Sequence, residues 1–250
     1  MERPRLLIVP EFTDLEWTIT PLLEEWAEVA SYDAPGVGDE QVSEAELDHL
    51  ADDGSYRRAR VAARGLEEAS RRGWDRFVVV SDSGANLPAA QLASLRPDAV
   101  SGMAFGHACL TLGSEGERAP INAEVGSAME QLANQDHERF AQHALTQLTG
   151  GSYDTELAAR ILERVPLRLL IGAWSFQGGE EPVDRLIGGL HLPLLLVKHQ
   201  GCLMFTDEGF EDAVEAFPRA ATASVEDKPS VSKEFAGGLR EFCERIPSQG

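Results

Sequence analysis

The chain predicts an α/β domain with a mostly parallel sheet flanked by helices. Three observations carry that expectation. Short, nearly continuous apolar runs at Leu6–Val9, Val29–Tyr32, Arg76–Val80 and Ala99–Phe105 alternate with segments of helical periodicity. Strands that are buried on both faces read this way, and burial on both faces is the mark of a parallel sheet. A long helix-prone stretch, 107 to about 190, then interrupts the alternation before strand character returns at Pro193–Lys198 and Ala220–Val225.

The elements follow in order. Leu6–Val9 reads as a buried strand, Leu15–Ala27 as a helix and Val29–Tyr32 as a second strand. Asp33–Glu40 is a loop, broken by Pro35, Gly36 and Gly38. Ser43–Asp52 fits a short helix, and Arg57–Arg72 a longer one that Gly73 stops. The third strand, Arg76–Val80, ends abruptly at small and polar residues, and Pro88–Leu95 continues as a helix. Pro97 and Gly106 bound the fourth strand, Ala99–Phe105. Beyond it, Gln131–Leu148 and Glu156–Glu163 read as helices, while Leu167–Trp174 suits strand or helix equally. Phe235–Arg245 closes the chain as an amphipathic helix. The organisation expected is a core of 1–106 and 190–250, with 107–189 inserted as a helical cap above the sheet.

Composition narrows the partners. With 42 acidic against 22 basic residues the net charge is −20, which argues against nucleic acid or an anionic membrane surface. The bland reading of this charge is a solvated acidic surface. No apolar run approaches the length of a membrane-spanning helix, and the apolar residues after Met1–Arg5 are too few for a signal segment. Cys109, Cys202 and Cys243 are scattered and odd in number, so a reducing, cytoplasmic setting is expected, without disulfides. Neither a cofactor nor a metal is expected. The expected partners are a small-molecule ligand or substrate and a second copy of the chain in a homodimer.

The segment Ser81-Asp82-Ser83-Gly84-Ala85 sits where a strand turns sharply into a helix. That is the setting of a nucleophile elbow, whose tight turn demands small residues two before and two after the nucleophile. Ser81 and Ala85 flank Ser83 at that spacing. The chain also resembles the α/β-hydrolase fold at several other places. Leu6–Val9 with Pro10-Glu11-Phe12 is similar to the strand and oxyanion loop, with Pro10 and Glu11 in place of His-Gly. Asp33-Ala34-Pro35-Gly36-Val37-Gly38 is similar to the D-x-P-G-x-G loop, and Leu192–Val197 to the strand after the cap. The resemblance implies a triad in the order serine, acid, histidine. This chain departs from it. Cys202 stands about where the acid belongs, and no histidine follows His199.

The candidate site is therefore an atypical triad. Ser83 is the candidate nucleophile and needs a base within reach. His107, directly after the fourth strand, and His199, after the next, are the candidate relocated bases. Asp82 is the rival nucleophile: Val80–Gly84 also resembles the H-D-W-G elbow of haloalkane dehalogenases and epoxide hydrolases, in which an aspartate attacks carbon. The backbone N–H groups of Phe12 and Gly84 are the candidate oxyanion donors. Glu11, Cys202 and Trp174 are candidates for the pocket lining. Two functions follow: an esterase-like hydrolase of a small apolar ester-like or carbonyl compound, or a non-hydrolytic member that binds a ligand or does lyase, isomerase or cyclisation chemistry. A third is Asp82-based opening of carbon–halogen bonds or epoxides.

Overall fold

The computed structural model describes residues 3–10, 17–108, 155–174, 183–200 and 207–246. Six strands form one sheet among them: β1 (Arg5–Ile8), β2 (Glu28–Ser31), β3 (Phe77–Asp82), β4 (Val100–Gly106), β5 (Leu194–His199) and β6 (Ala221–Val225). Their order is β2-β1-β3-β4-β5-β6, and every pairing is parallel. The helices among the described residues are α1 (Thr20–Glu24), α2 (Glu44–Asp52), α3 (Gly54–Arg71), α4 (Asn86–Leu95), α5 (Thr155–Arg164), α6 (Leu167–Trp174), α7 (Val183–Ile187), α8 (Asp207–Ala216) and α9 (Lys233–Arg245). None is long and apolar enough to cross a membrane.

The chain forms two compact units. One comprises Met1–Tyr32, Val61–Thr111 and Glu181–Gly250, and it holds the sheet. In it, alternate residues of the strands, Leu6 and Ile8 of β1 and Val78 and Val80 of β3, join one apolar cluster with Phe235, Leu239 and Phe242 of α9. The spacing of those three helix residues places them on one face of α9. Trp17 packs its ring 5.8 Å from that of Phe235. Buried positions in α3 recur at Arg58, Val61, Ala62, Gly65, Glu68 and Ala69, which is the helical period. Gly65 is needed there, because a Cβ would lie 2.6 Å from the Tyr32 hydroxyl.

The other unit comprises Asp33–Arg60 and Leu112–Glu180. Here α6 packs on α2 so closely that a Cβ on Gly172 would sit 2.2 Å from the Ala51 carbonyl oxygen. The Arg57 guanidinium donates to the carbonyls of Leu50 and Gly172 across that contact. Arg164 pairs with Asp33 at 2.5 Å and so holds one end of the Asp33–Glu40 loop, whose Gly36 and Gly38 take positive φ.

Three elements differ from expectation. Of the helix expected at Leu15–Ala27, only Thr20–Glu24 is helical among the described residues; 17–19 and 25–27 on either side are turn, bend or irregular backbone. Leu167–Trp174 is a helix, α6. Pro166 stands just before it, where a missing N–H does no harm and the fixed φ favours a helical start. Helix α8 was not anticipated: half of its residues are acidic and a glycine stands in its first turn, although Phe210, Ala213, Val214 and the following Phe217 fall on the helical period. Of the expected cap, residues 109–154 and 175–182 lie outside the described residues, and so does the helix expected at Gln131–Leu148.

The topology locates a crevice. From β1 the chain moves to one side to make β2, then returns to the other side of β1 to make β3. The connections after β1 and β3 therefore leave in opposite directions, which opens a gap at the carboxyl ends of these two strands. The turn after β3 is Ser83–Ala85.

Candidate active site

Strand β3 is buried to its last residue, Asp82. A single 3₁₀ turn, Ser83–Ala85, then hands over to α4. Ser83 has φ 51°. Few non-glycine residues adopt that region, and the strain costs about 1–3 kcal/mol. Asp82 is by contrast extended, at φ −137° and ψ 142°. The strained tip of the turn is Ser83, and it is half-buried, with Gly84 exposed beside it. Ser81 and Ala85 are buried on either side, small enough for so tight a bend.

Three of the candidate side chains come together beside this tip. Asp82, His107 and His199 lie at the carboxyl ends of the neighbouring strands β3, β4 and β5. His107 Nδ1 is 2.5 Å from Asp82 Oδ1, and His107 Nε2 is 2.6 Å from His199 Nδ1. The two imidazoles meet edge to face, with centroids 4.6 Å apart and planes at 90°. Asp82 and His107 are buried, and His199 is half-buried.

Local backbone makes the arrangement possible. Asp82 stands opposite Gly106 in the β3–β4 register. A Cβ on Gly106 would lie 2.7 Å from Asp82 Oδ1, so only glycine leaves the carboxylate room to reach the next residue. That next residue, His107, has φ 42° and with Ser83 is one of two non-glycine residues of positive φ among those described. Ala108 N–H then donates to the Val197 carbonyl at 3.0 Å and seats the turn against β5. Pro229 packs against Gly106 from the loop after β6, where the resemblance would have put the histidine.

Proton counting shows what the three side chains can do. When Asp82 is a carboxylate and both rings are neutral, His107 Nδ1–H donates to Asp82. His107 Nε2 then accepts from His199 Nδ1–H, and the remaining lone pair of the chain falls on His199 Nε2. Burial lowers the His199 pKa from its ordinary value, and the neighbouring His107 lowers it further; the Glu226 carbonyl, which can accept from the ring only in its protonated form while Nδ1–H is given to His107, opposes the fall. The outermost ring is thus held in its neutral, proton-accepting form near neutral pH.

Ser83 Oγ has no hydrogen-bond partner among the described residues. Glu11, Phe12 and Cys202 lie outside the described residues, and of Trp174 only its place at the end of α6 is described. His49 and His191 are exposed. Among the described residues no three His, Cys, Asp or Glu side chains gather as a metal site.

One polar residue at the site was not anticipated. Asn86 is buried in the first turn of α4, accepts from Ser81 Oγ at 2.8 Å and donates to the Gly106 carbonyl at 3.0 Å. Its signal in the sequence is weak: an asparagine at a helix start reads as a cap, although the residues around it, Leu87-Pro88-Ala89-Ala90, are apolar.

No family model matches the chain, and no curated protein matches it in sequence. Solved structures do. A hydrolase from Oleispira antarctica superposes with a TM-score of 0.76 at 14% identity, over 98% of this chain and 92% of that one. A thermophilic esterase from Thermogutta terrifontis gives 0.71 at 16% identity, over 98% and 91%. An enol-lactonase from Burkholderia xenovorans gives 0.65 at 15% identity, over 98% and 93%. Similarity of this kind shows the fold: the chain has the α/β-hydrolase fold.

Proposed function

We propose that this α/β-hydrolase-fold chain is an esterase-like hydrolase of small ester-like or carbonyl compounds, with Ser83 as nucleophile and His199 as its base. The observation that carries the reading is the strained Ser83 tip beside the Asp82–His107–His199 chain, with contacts of 2.5 and 2.6 Å. An esterase and an enol-lactonase among the similar structures support the substrate class.

In this reading Ser83 Oγ attacks the carbonyl carbon, and its proton passes to His199 Nε2. The Gly84 N–H, together with that of Phe12, holds the oxyanion. Collapse expels the alcohol, which takes the proton from His199. Water then attacks the acyl-enzyme, gives a proton to His199, and the acid leaves with Ser83 restored. Asp82 acts as an orienting acid: its Oδ1 is engaged by His107 inside the fold, which disfavours attack by Asp82 on a carbon–halogen bond or an epoxide. Catalytic hydrogen bonds commonly close only with substrate bound, which accommodates a Ser83 Oγ without a partner among the described residues.

A fluorophosphonate probe tests the reading. It should label the wild type at Ser83, and it should fail to label Ser83→Ala. Labelling should be strongly slowed in His199→Gln. A wild type inert to the probe would sink the serine mechanism.

One observation favours a second reading. With Ser83 Oγ unbonded among the described residues, His199, backed by His107, exchanges protons directly with a carbonyl substrate in this reading, giving lyase or isomerase chemistry without a covalent step. Turnover that survives Ser83→Ala and is lost in His199→Gln would select it.

A further inference from the structure

We infer that Asn86 is a positioning residue, which holds the His107 backbone, and through it the His107 ring, against the elbow. The inference rests on the proposed role of His107. Asn86 is 3% exposed, and both polar atoms of its side chain are used, as is its backbone N–H. Its backbone N–H donates to the carbonyl of Ser83. Its Oδ1 accepts from Ser81 Oγ at 2.8 Å. Its Nδ2 donates to the carbonyl of Gly106 at 3.0 Å and, more weakly, to that of His107 at 3.5 Å.

Of the three carbonyls this network holds, those of Ser83 and His107 belong to the two non-glycine residues of positive φ among those described, and the closer of the two carbonyls that Nδ2 reaches, that of Gly106, belongs to the residue just before His107. Such conformations persist only where the surroundings over-determine them. Asn86 supplies that constraint to both turns at once: to the elbow through its main chain, and to the β4 turn through its side chain. The His107 ring must meet Asp82 at 2.5 Å on one side and His199 at 2.6 Å on the other. Its backbone therefore has little freedom to drift. Aspartate at 86 would keep the shape and the acceptor for Ser81 but would replace the Nδ2 donor by an oxygen facing two carbonyls. Alanine would remove both.

The test reads the imidazoles directly, so that it stands apart from whether Ser83 hydrolyses anything. With ¹⁵N-histidine labelling, wild-type His107 should show a strongly downfield ring proton from the Asp82 contact, and its ring should titrate together with that of His199. In Asn86→Asp and Asn86→Ala, with folding checked by near-UV circular dichroism, the downfield proton should be lost and the two rings should titrate separately. A measurement on the wild type covers the case in which the variants do not fold. The Asn86 side-chain amide protons should exchange slowly and shift with pH in step with His107. Folded variants that keep the His107 proton and its titration would overturn the inference. So would a wild-type amide that exchanges freely and ignores the titration.

Discussion

Replacing Gly106 by alanine is expected to damage stability and site together. The added Cβ would lie 2.7 Å from Asp82 Oδ1, and 2.7 and 2.8 Å from Cγ and Cβ of Pro229. Carbon pairs settle at about 3.5–4.0 Å, so the proline contacts are short by roughly 0.7 Å. Neither neighbour yields cheaply. Pro229 is a buried ring, and the Asp82 carboxylate is buried and held by His107 at 2.5 Å. Overpacking of this kind costs about 1–3 kcal/mol. In a chain of this length each kcal/mol moves the melting temperature by about 2–4 °C, so the midpoint should fall by roughly 2–12 °C. The relief open to the site is for Asp82 to swing away, which breaks its contact with His107. Thermal and urea melts read the first effect, and the His107 ring resonances read the second. A variant that melts within about a degree of wild type, with unchanged His107 signals, would refute the claim that glycine is required at this point.

Other expectations follow from the same geometry. Gly237→Ala should have the opposite sign, because a Cβ there meets nothing within 4 Å in helix α9; alanine should stabilise by about 0.5–1 kcal/mol, read by urea titration. Ser232 caps α9 by accepting from Phe235 N–H at 3.1 Å, so Ser232→Ala should cost about 0.5–2 kcal/mol in the same assay. Burial lowers the His199 pKa below its ordinary 6.5, so as the pH falls through that value the unfolded chain gains a proton that the folded chain resists. Stability should therefore decline below about pH 6.5, and His199→Gln should flatten that decline. If His199 is the base, the acid limb of the pH–rate profile should lie below 6.5, since the ring stays neutral to lower pH.

Most strands were legible because burial on both faces leaves a nearly continuous apolar run, and Leu6–Val9 and Ala99–Phe105 match β1 and β4 to within a residue or two. The elbow was legible for a local reason too: Ser81, Ser83 and Ala85 sit at a spacing that only a tight strand-to-helix turn requires. Helix α8 was not, since five acidic residues and Gly209 mask its short apolar row, Phe210, Ala213, Val214 and Phe217. Leu167–Trp174 was ambiguous because eight residues of mostly apolar character satisfy both periods.

The partners of the site belong to a different order of information. Asp82, His107 and His199 are separated by 25 and 92 residues along the chain, and no local pattern couples them. Parallel pairing of β3, β4 and β5 brings their carboxyl ends side by side. Residue types in the sequence determined the strands, the turn and the presence of two histidines after consecutive strands, because those depend on near neighbours and on burial. Only the tertiary structure decided that Asp82 faces His107, that His107 faces His199, and that glycine at 106 and asparagine at 86 make room for that chain and hold it. Those contacts depend on strand register and backbone approach, which are set by the packing of the whole sheet.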